Sequence, residues 1–340
     1  LPNDYALGRS NNLVVFVPKA VYGDKVKVRI VKQTKNFAYG ELVKIESFSA
    51  YRVEPGCPFF GKCGGCVFQN LEYKRQLEIK NRYLLTTLKN IGNVNLEKIK
   101  LKEIQGSPEI YFYRNKMEFA FGEGKDGIIL GLRERNYPFY SDYRRKVVPL
   151  DRCEIFSPTV GRIFSVILDF AKGSGLSFYD PFSKEGFFRH LVVRQSKHKN
   201  ETMVILVTKS GELKRVEGMV EKLVKEVPQV KSFYWVFNDQ ISDVVKCEQK
   251  KYSWGQENIG EIIDGLEFKV YPETFLQPNI FAAELLYRKA LQYVKSQDRV
   301  LGLYCGMGPI EILAAKKAKE VVGIDSERIN IYGARENCEI

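Results

Sequence analysis

The chain has 340 residues, 44% of them hydrophobic, which is enough for two or three domains that each bury a core. Its 53 Lys and Arg exceed its 41 Asp and Glu, and the net charge of +12 favours a polyanionic partner, nucleic acid before an anionic membrane. No apolar run approaches the roughly twenty residues of a membrane-spanning helix, so we expect a soluble, cytoplasmic monomer. The presence of only two histidines, His190 and His198, argues against a His-rich metal site or a His-based hydrolase.

Short strands of alternating apolar and polar residues fill positions 13–47, with polar turns at 19–24 and 34–36. This pattern predicts a small antiparallel barrel. The barrel is either a solubilising β module or an RNA-binding barrel of the OB type, which uses a basic groove and exposed aromatics such as Tyr39. The pattern VVFVPKAVYGDKVKVRIVK resembles the TRAM module found on RNA-modifying enzymes.

Three cysteines follow in a Gly-rich loop, where Cys57, Cys63 and Cys66 are separated by five and two residues. Thiols this close can surround a soft metal centre, because glycine lets backbone amides turn towards the sulfurs. Cys153 is the candidate for a fourth ligand, since the other cysteines belong to a Lys-rich strand end and to the terminal domain. A structural zinc site is the alternative, but the absence of a second C-x-x-C pair favours a [4Fe-4S] cluster.

Residues 71–91 predict a helix that ends at Gly92. One side of this helix is apolar, and the other side is basic and is either solvated or in contact with phosphates. The basic side comprises Lys74, Arg75, Lys80, Arg82 and Lys89.

Residues 111–132 predict strands and a Gly-rich hairpin, with Arg114, Asn115 and Lys116 at the start. Aromatics among basic and amide groups suit single-stranded RNA, although an aromatic sheet core explains the same aromatics. The pattern continues as a mixed α/β domain. Its predicted helices are 159–172 and 212–226, and its strands are 187–195, 201–208, 232–237 and 267–271.

The last seventy residues have the pattern of a nucleotide-binding sheet. An amphipathic helix at 281–296 precedes a strand at 300–304, the turn CGMG, another helix and a strand that ends at Asp325. Amides of the turn can accept a polar ligand tail, and the two oxygens of Asp325 can accept both ribose hydroxyls of adenosine. Glu311 stands where a dinucleotide fold has its third glycine, which favours S-adenosylmethionine over NAD.

The four cysteines, the barrel, RNKMEFAFG, FLQPN, LYCGMG and VVGID together resemble the motifs of the RNA uracil-5 methyltransferases, the bacterial RumA and TrmA type. The resemblance covers essentially the whole chain and is to the form with a cluster and a TRAM domain. It implies an α/β multidomain fold. An OB-like TRAM barrel at 1–50 precedes a central mixed α/β iron-sulfur and RNA-binding domain at 51–270 and the first part of a Rossmann-like methyltransferase domain at 271–340.

The resemblance also assigns sites. It implies that the cluster is held by Cys57, Cys63, Cys66 and Cys153. It implies that S-adenosylmethionine is bound by Gln277, Tyr304, Gly306, Gly308 and Asp325. It further implies that Phe275 and Gln277 lie beside the target base, and we expect RNA contacts from Arg114, Asn115 and Lys116. Two positions depart from the family: Gly302 stands where an Asp is usual, and Pro309 replaces a polar residue, which the first turn of a helix accepts.

Carbon 5 of uracil is too poor a nucleophile to attack a methyl sulfonium, so a thiolate must first add at carbon 6. In the family the nucleophilic Cys and the base Glu follow these motifs, so we expect both beyond Ile340 and expect this segment alone to be inactive. Cys305 and Cys338 are interpreted as non-catalytic, and Cys338 as a packed helix residue.

The implied substrate is a uridine in an RNA loop, because the base must leave its stack. Ribosomal 23S RNA is our first choice. The alternatives are a tRNA uracil-5 methyltransferase, a noncatalytic RNA-binding iron-sulfur protein or assembly factor with a degenerate methyltransferase fold, and a zinc-stabilised RNA-binding protein.

Overall fold

The structure is a computed structural model that describes residues 5–10, 12–135, 146–241 and 249–339. The chain forms two compact units, one made of residues 1–106 and 132–148 and the other of residues 107–131 and 149–340. Domain boundaries at residues 50 and 270 stay a prediction. Among the described helices, none combines the length and the apolar character needed to cross a bilayer.

The first unit begins with a four-stranded sheet of order β1-β2-β4-β3. Its strands are Tyr5–Ser10 (β1), Leu13–Pro18 (β2), Lys25–Gln33 (β3) and Phe37–Ser47 (β4). The last three strands confirm the alternating pattern. Neighbours are antiparallel except β2 and β4, which are parallel, so the prediction of an entirely antiparallel arrangement was wrong for this pair. Closure of this sheet into a barrel stays a prediction.

Tyr39 lies in an aromatic cluster of this sheet. Its ring centroid is 5.8 Å from that of Tyr5, 5.6 Å from that of Phe16 and 5.7 Å from that of Phe37. The expectation of an exposed Tyr39 was therefore wrong, because its half-buried ring packs against three neighbours.

A long helix, Tyr73–Asn90 (α1), confirms the predicted basic helix of the first unit. The amides of Ile91 and Gly92 both donate to the carbonyl of Thr87, which ends the helix at the predicted glycine. No residue of α1 is fully buried. A 3₁₀ turn at Leu96–Lys98 follows.

A seven-stranded sheet of order β11-β10-β9-β8-β5-β6-β7 has most of its residues in the second unit. Its strands are Lys116–Gly124 (β5), Gly127–Arg133 (β6), Val147–Pro149 (β7), Phe188–Gln195 (β8), Thr202–Thr208 (β9), Val230–Phe237 (β10) and Gln249–Gly255 (β11). Two helices accompany the sheet, Val160–Ser174 (α2) and Val216–Glu226 (α3). The mixed α/β prediction is confirmed.

Both faces of the central strands are covered, because every residue of β8 and β9 is buried. On one face Phe119 meets Phe164 of α2, with ring centroids 4.6 Å apart. On the other face Val192 and Ile205 belong to a core shared with the C-terminal elements. The end of the chain is thus fixed to the sheet by apolar burial.

The C-terminal elements comprise a hairpin, three helices and a parallel strand pair. They are Ile259–Ile263 (β12), Leu266–Val270 (β13), Ile280–Leu291 (α4), Arg299–Leu303 (β14), Pro309–Ala315 (α5), Glu320–Ile324 (β15) and Arg328–Cys338 (α6). β14 and β15 are parallel, as the nucleotide-binding pattern predicts. Helix α4 ends five residues earlier than predicted, because Tyr293 and Val294 make turn hydrogen bonds to Ala290 and Leu291.

Candidate functional site

The loop at residues 272–279, which contains FLQPN, is held by two buried polar side chains of the central sheet region. Nη2 of Arg194 donates to the carbonyl of Thr274 at 2.6 Å. Nδ2 of Asn115 donates to the carbonyl of Gln277 at 2.8 Å, and its backbone amide donates to the carbonyl of Pro278 at 2.8 Å. Losing a partner from such a buried pair costs about 1–3 kcal/mol, so the central sheet fixes the path of the loop.

Through these contacts the segment RNKMEF, residues 114–119, supports the loop at residues 272–279. The amide of Asn115 is buried and already donates to the loop. Arg114 forms a β-bridge with Asn279, and Nζ of Lys116 lies 2.7 Å from the carboxylate of Glu118. Contact between these residues and RNA stays a prediction.

The loop presents one side chain outwards and buries the next. Phe275 is 57% exposed, whereas Leu276 packs in the core with Met307. The carbonyl of Phe275 lies against the Gly-rich turn, because a Cβ added at Gly306 would be 3.6 Å from it. Phe275 is therefore placed beside the turn, and the half-buried Gln277 follows two residues later in the same loop.

The turn itself contains three residues with left-handed backbone. Their φ angles are +58° at Tyr304, +57° at Gly306 and +82° at Gly308. Glycine adopts this conformation freely, but for a tyrosine it costs about 1–2 kcal/mol. Tyr304 is 89% exposed, so packing of its side chain within the described chain does not offset this cost. Backbone strain of this kind is concentrated at functional sites.

Asp325 holds the turn from the end of β15. Its Oδ2 accepts from the amide of Gly306 at 2.8 Å, and its Oδ1 accepts from the amide of Glu327 at 2.9 Å and from Nδ2 of Asn330 at 3.2 Å. Burial raises the pKa of Asp325, but these donors outweigh it and hold the pKa below its usual value. The carboxylate is ionised at neutral pH.

Asn330 connects the acid to the loop and was missed by the sequence reasoning. Its buried side chain donates to Asp325, while its Oδ1 accepts from the amide of Phe275 at 3.1 Å. The available signal was the spacing of Asn330, Gly333 and Asn337, which puts small and polar residues on one side of α6. One side chain thus joins the two halves of the site.

Two cysteines of this region differ in their surroundings. Cys305 is buried, its Sγ donates to the carbonyl of Gly306 at 3.6 Å, and burial raises the pKa of its thiol, with Glu311 and Asp325 adding to the effect. This agrees with a non-catalytic Cys305. Cys338 is exposed, so its interpretation as a packed helix residue was wrong.

Three cysteines of the first unit lie close enough to influence one another. The amide of Gly65 donates to Sγ of Cys63 at 3.4 Å. Burial raises the pKa of the Cys66 thiol, and the charges of Cys63 and Cys57 raise it further. A cationic centre would remove that repulsion. Among the described residues, however, no group of three or more His, Cys, Asp or Glu side chains is arranged to hold a metal ion.

Cys153 belongs to the second unit, where it is buried and its charge acts on Lys197. Burial lowers the pKa of Lys197 to about 8. Nζ of Lys197 donates to the carbonyl of Phe156 at 2.6 Å.

The positive charge is distributed unequally between the units. The first unit contains 23 Lys and Arg against 11 Asp and Glu, whereas the second contains 30 of each. The whole net charge of +12 therefore belongs to the first unit. Exposed cations of α1 contribute to it, among them Lys74, Lys80, Arg82 and Lys89.

Comparisons with known proteins agree with this architecture. A family model of the TRAM domain matches residues 2–43. An uncharacterized RNA methyltransferase of Caldanaerobacter subterraneus subsp. tengcongensis is 33% identical over 99% of this chain and 74% of that protein. One from Clostridium tetani is 32% identical over 98% of this chain and 70% of the relative.

A solved structure is also similar along almost the whole chain. It is the Pyrococcus abyssi tRNA (uracil-54, C5)-methyltransferase in complex with S-adenosyl-L-homocysteine. The TM-score is 0.75 at 28% identity, with 99% of this chain and 74% of that chain covered. Fold, relatives and site together define an RNA methyltransferase. The chain belongs to the RNA uracil-5 methyltransferase family.

Proposed function

We propose that the protein transfers a methyl group from S-adenosylmethionine to carbon 5 of a uridine in RNA. The observation that carries the proposal is the contact between the FLQPN loop and the Gly-rich turn. The loop with Phe275 and Gln277 lies against Gly306, and Asn330 joins that loop to Asp325. A methyl donor at the turn and a base at the loop would then be neighbours, which is the proximity that group transfer needs.

The donor is assigned to the turn and its acid. Asp325 is ionised and is the proposed acceptor for the ribose hydroxyls, which would share or replace its present donors, because these already use most of the roughly four lone-pair sites of a carboxylate. Gln277, Tyr304, Gly306 and Gly308 complete the proposed contacts. The donor in the similar Pyrococcus abyssi structure is represented by S-adenosyl-L-homocysteine, the product left after methyl transfer.

The reaction needs covalent activation of the base. A cysteine thiolate adds to carbon 6 of uracil, and the electron pair moves to make carbon 5 nucleophilic. S-adenosylmethionine supplies the methyl group as a sulfonium, which carbon 5 attacks. A base then removes the proton from carbon 5, and the electron pair of that bond expels the thiolate from carbon 6. Cys305 is unsuited to this addition, because its buried thiol resists ionisation.

RNA is assigned to the first unit. Its charge of +12 supplies sequence-independent attraction to phosphates, whereas the second unit is neutral. Lys80 and Lys89 are exposed on α1 and have no carboxylate partner within the described ranges. These two cations are the phosphate contacts that we propose on α1.

Ribosomal RNA is the substrate that we favour from the motif resemblance. Transfer RNA is the second candidate, because the similar Pyrococcus abyssi enzyme acts on tRNA uracil-54. Both classes present uridines in loops, where a base can be extruded at low cost.

A [4Fe-4S] cluster is proposed for the cysteine loop. Cys57, Cys63 and Cys66 supply three thiolates, and the amide of Gly65 already donates to one sulfur. Cys153 as the fourth ligand stays a prediction. We assign the cluster a structural role.

Methyl transfer is tested with the full-length protein, S-adenosylmethionine labelled in its methyl group, and separate ribosomal and transfer RNA. We expect label on uridine carbon 5 in one RNA class, identified by nucleoside analysis. Asp325→Ala, which removes the acid of the turn, should reduce the rate at least tenfold, with Glu320→Gln as the exposed control. Label on ribose or on cytosine contradicts the proposed reaction.

The RNA assignment is tested by the salt dependence of binding to a uridine-containing RNA loop. The double variant Lys80→Gln/Lys89→Gln should lower the slope of log K against log salt by about 1.4 if two single-stranded phosphate contacts are lost. Lys214→Gln/Lys225→Gln removes the same charge from the second unit and should leave the slope unchanged. Equal slopes for the two double variants would contradict the assignment.

The cluster is tested by purifying the protein without oxygen. We expect a brown protein that contains iron and sulfide, and Cys63→Ser should remove most of its visible absorption. Cys338→Ser is the control, because this cysteine is exposed on α6. A colourless protein that contains zinc contradicts the cluster assignment.

A further inference from the structure

Two glycines on neighbouring strands leave a space that a glutamate fills. Gly302 of β14 and Gly323 of β15 are paired in register. A Cβ added at Gly302 would lie 1.9 Å from Oε1 of Glu311, and a Cβ at Gly323 would lie 3.4 Å from its Cγ. We call the space over these two residues the glycine slot. A side chain at position 302 would overlap the present position of the Glu311 carboxyl group, whereas a Cβ at position 323 would meet Cys305 first, at 3.1 Å from its Sγ.

One oxygen of the carboxyl group in the glycine slot lacks a hydrogen-bond partner among the described residues. Oε2 of Glu311 is buried and has no donor in the part of the chain that the structure describes. The ionisable groups that feel its charge are Tyr287 of α4 and Cys305 of the turn. Neither of these is a cation.

Burial determines the protonation of this group. It raises the pKa of Glu311, and it also raises the pKa of Tyr287 to about 12, to which the charge of Glu311 adds. An ionised carboxylate buried without a partner is costly, and a cationic ligand with N–H groups would offset that cost. The slot borders Cys305, which precedes the Gly306 amide bound by Asp325.

We propose that Glu311 binds the ammonium group of the methyl donor, and that the absence of a side chain at Gly302 leaves the space that its carboxyl group occupies. The assignment rests on the proposed donor site. S-adenosylmethionine has two cationic groups, but its sulfonium offers no hydrogen, whereas its ammonium has three N–H donors. The orphaned Oε2 therefore selects the ammonium.

This assignment explains the departure at position 302. Where the family usually has an Asp on the strand, this chain has Gly302, and the carboxyl group comes from α5. The acid has thus moved from strand to helix, and its Oε1 lies 1.9 Å from the position that a Cβ at residue 302 would take. Gly302 and Glu311 are consequently coupled. We expect that either residue, placed without the other in a relative that has the Asp on the strand, weakens donor binding.

The first test measures binding of S-adenosylhomocysteine, which has the ammonium, and of methylthioadenosine, which lacks the amino-acid end. Glu311→Gln should weaken S-adenosylhomocysteine binding at least tenfold and change methylthioadenosine binding less than twofold. Glu320→Gln should change neither. Unaltered S-adenosylhomocysteine binding by Glu311→Gln overturns the inference, as does an equal loss for both ligands. Failure of the unaltered protein to bind either ligand contradicts the proposed donor site instead.

The second test moves the acid back to the strand. Gly302→Asp and Glu311→Ser should each weaken S-adenosylhomocysteine binding, the first because its side chain would collide with Glu311. The double variant Gly302→Asp/Glu311→Ser should recover binding to within about threefold of the original protein. A double variant that binds no better than Glu311→Ser overturns the inference, and this comparison holds even where a single variant folds poorly.

Discussion

The candidate site depends on the fixed path of the loop at residues 272–279. Arg194 and Asn115 hold its carbonyls from the central sheet, and Asn330 holds the amide of Phe275 from α6. Buried hydrogen bonds are costly to break because no water replaces the lost partner. The loop therefore has one conformation in which Phe275 faces outwards. The same Asn330 binds Asp325, so the proposed base and donor regions share a partner.

The two units differ in the forces that they offer a ligand. The first unit carries all of the net charge, which attracts a polyanion over a Debye length of about 8 Å at physiological salt. The second unit is neutral and offers short-range contacts, namely an ionised Asp325 and a buried Glu311. Long-range attraction and chemical recognition are thereby separated along the sequence. The positive charge that would attract a polyanionic substrate therefore lies in one unit, and Asp325 and Glu311 lie in the other.

The periodicity of apolar residues predicted most helices and strands. The strands that it missed depend on contacts between residues far apart in the sequence. Alternation identified β2 to β4, and the Gly-rich turn between two strands identified β14, α5 and β15. β1 was missed because only Tyr5 of that strand is buried, which leaves no alternation. β12 was missed because buried Glu261 interrupts its apolar run, where it accepts from Ser196 and His198. A sequence-local pattern contains no record of such partners.

The candidate site shows the same limit. The motifs named Phe275, Gln277, Tyr304 and Asp325, but Asn115 meets Gln277 across 162 positions, and that pairing has no local signal. The substitution of Gly302 was visible in the sequence, yet its meaning required the position of Glu311.

The central claim is that the donor turn and the loop behave as one site joined by Asn330. Hydrogen exchange of backbone amides, measured with and without S-adenosylhomocysteine, tests it directly. We predict that the ligand slows exchange in residues 304–308 and also in residues 272–279, and that Asn330→Ala abolishes only the second effect. Protection of the turn with no change in the loop of the unaltered protein would contradict the account.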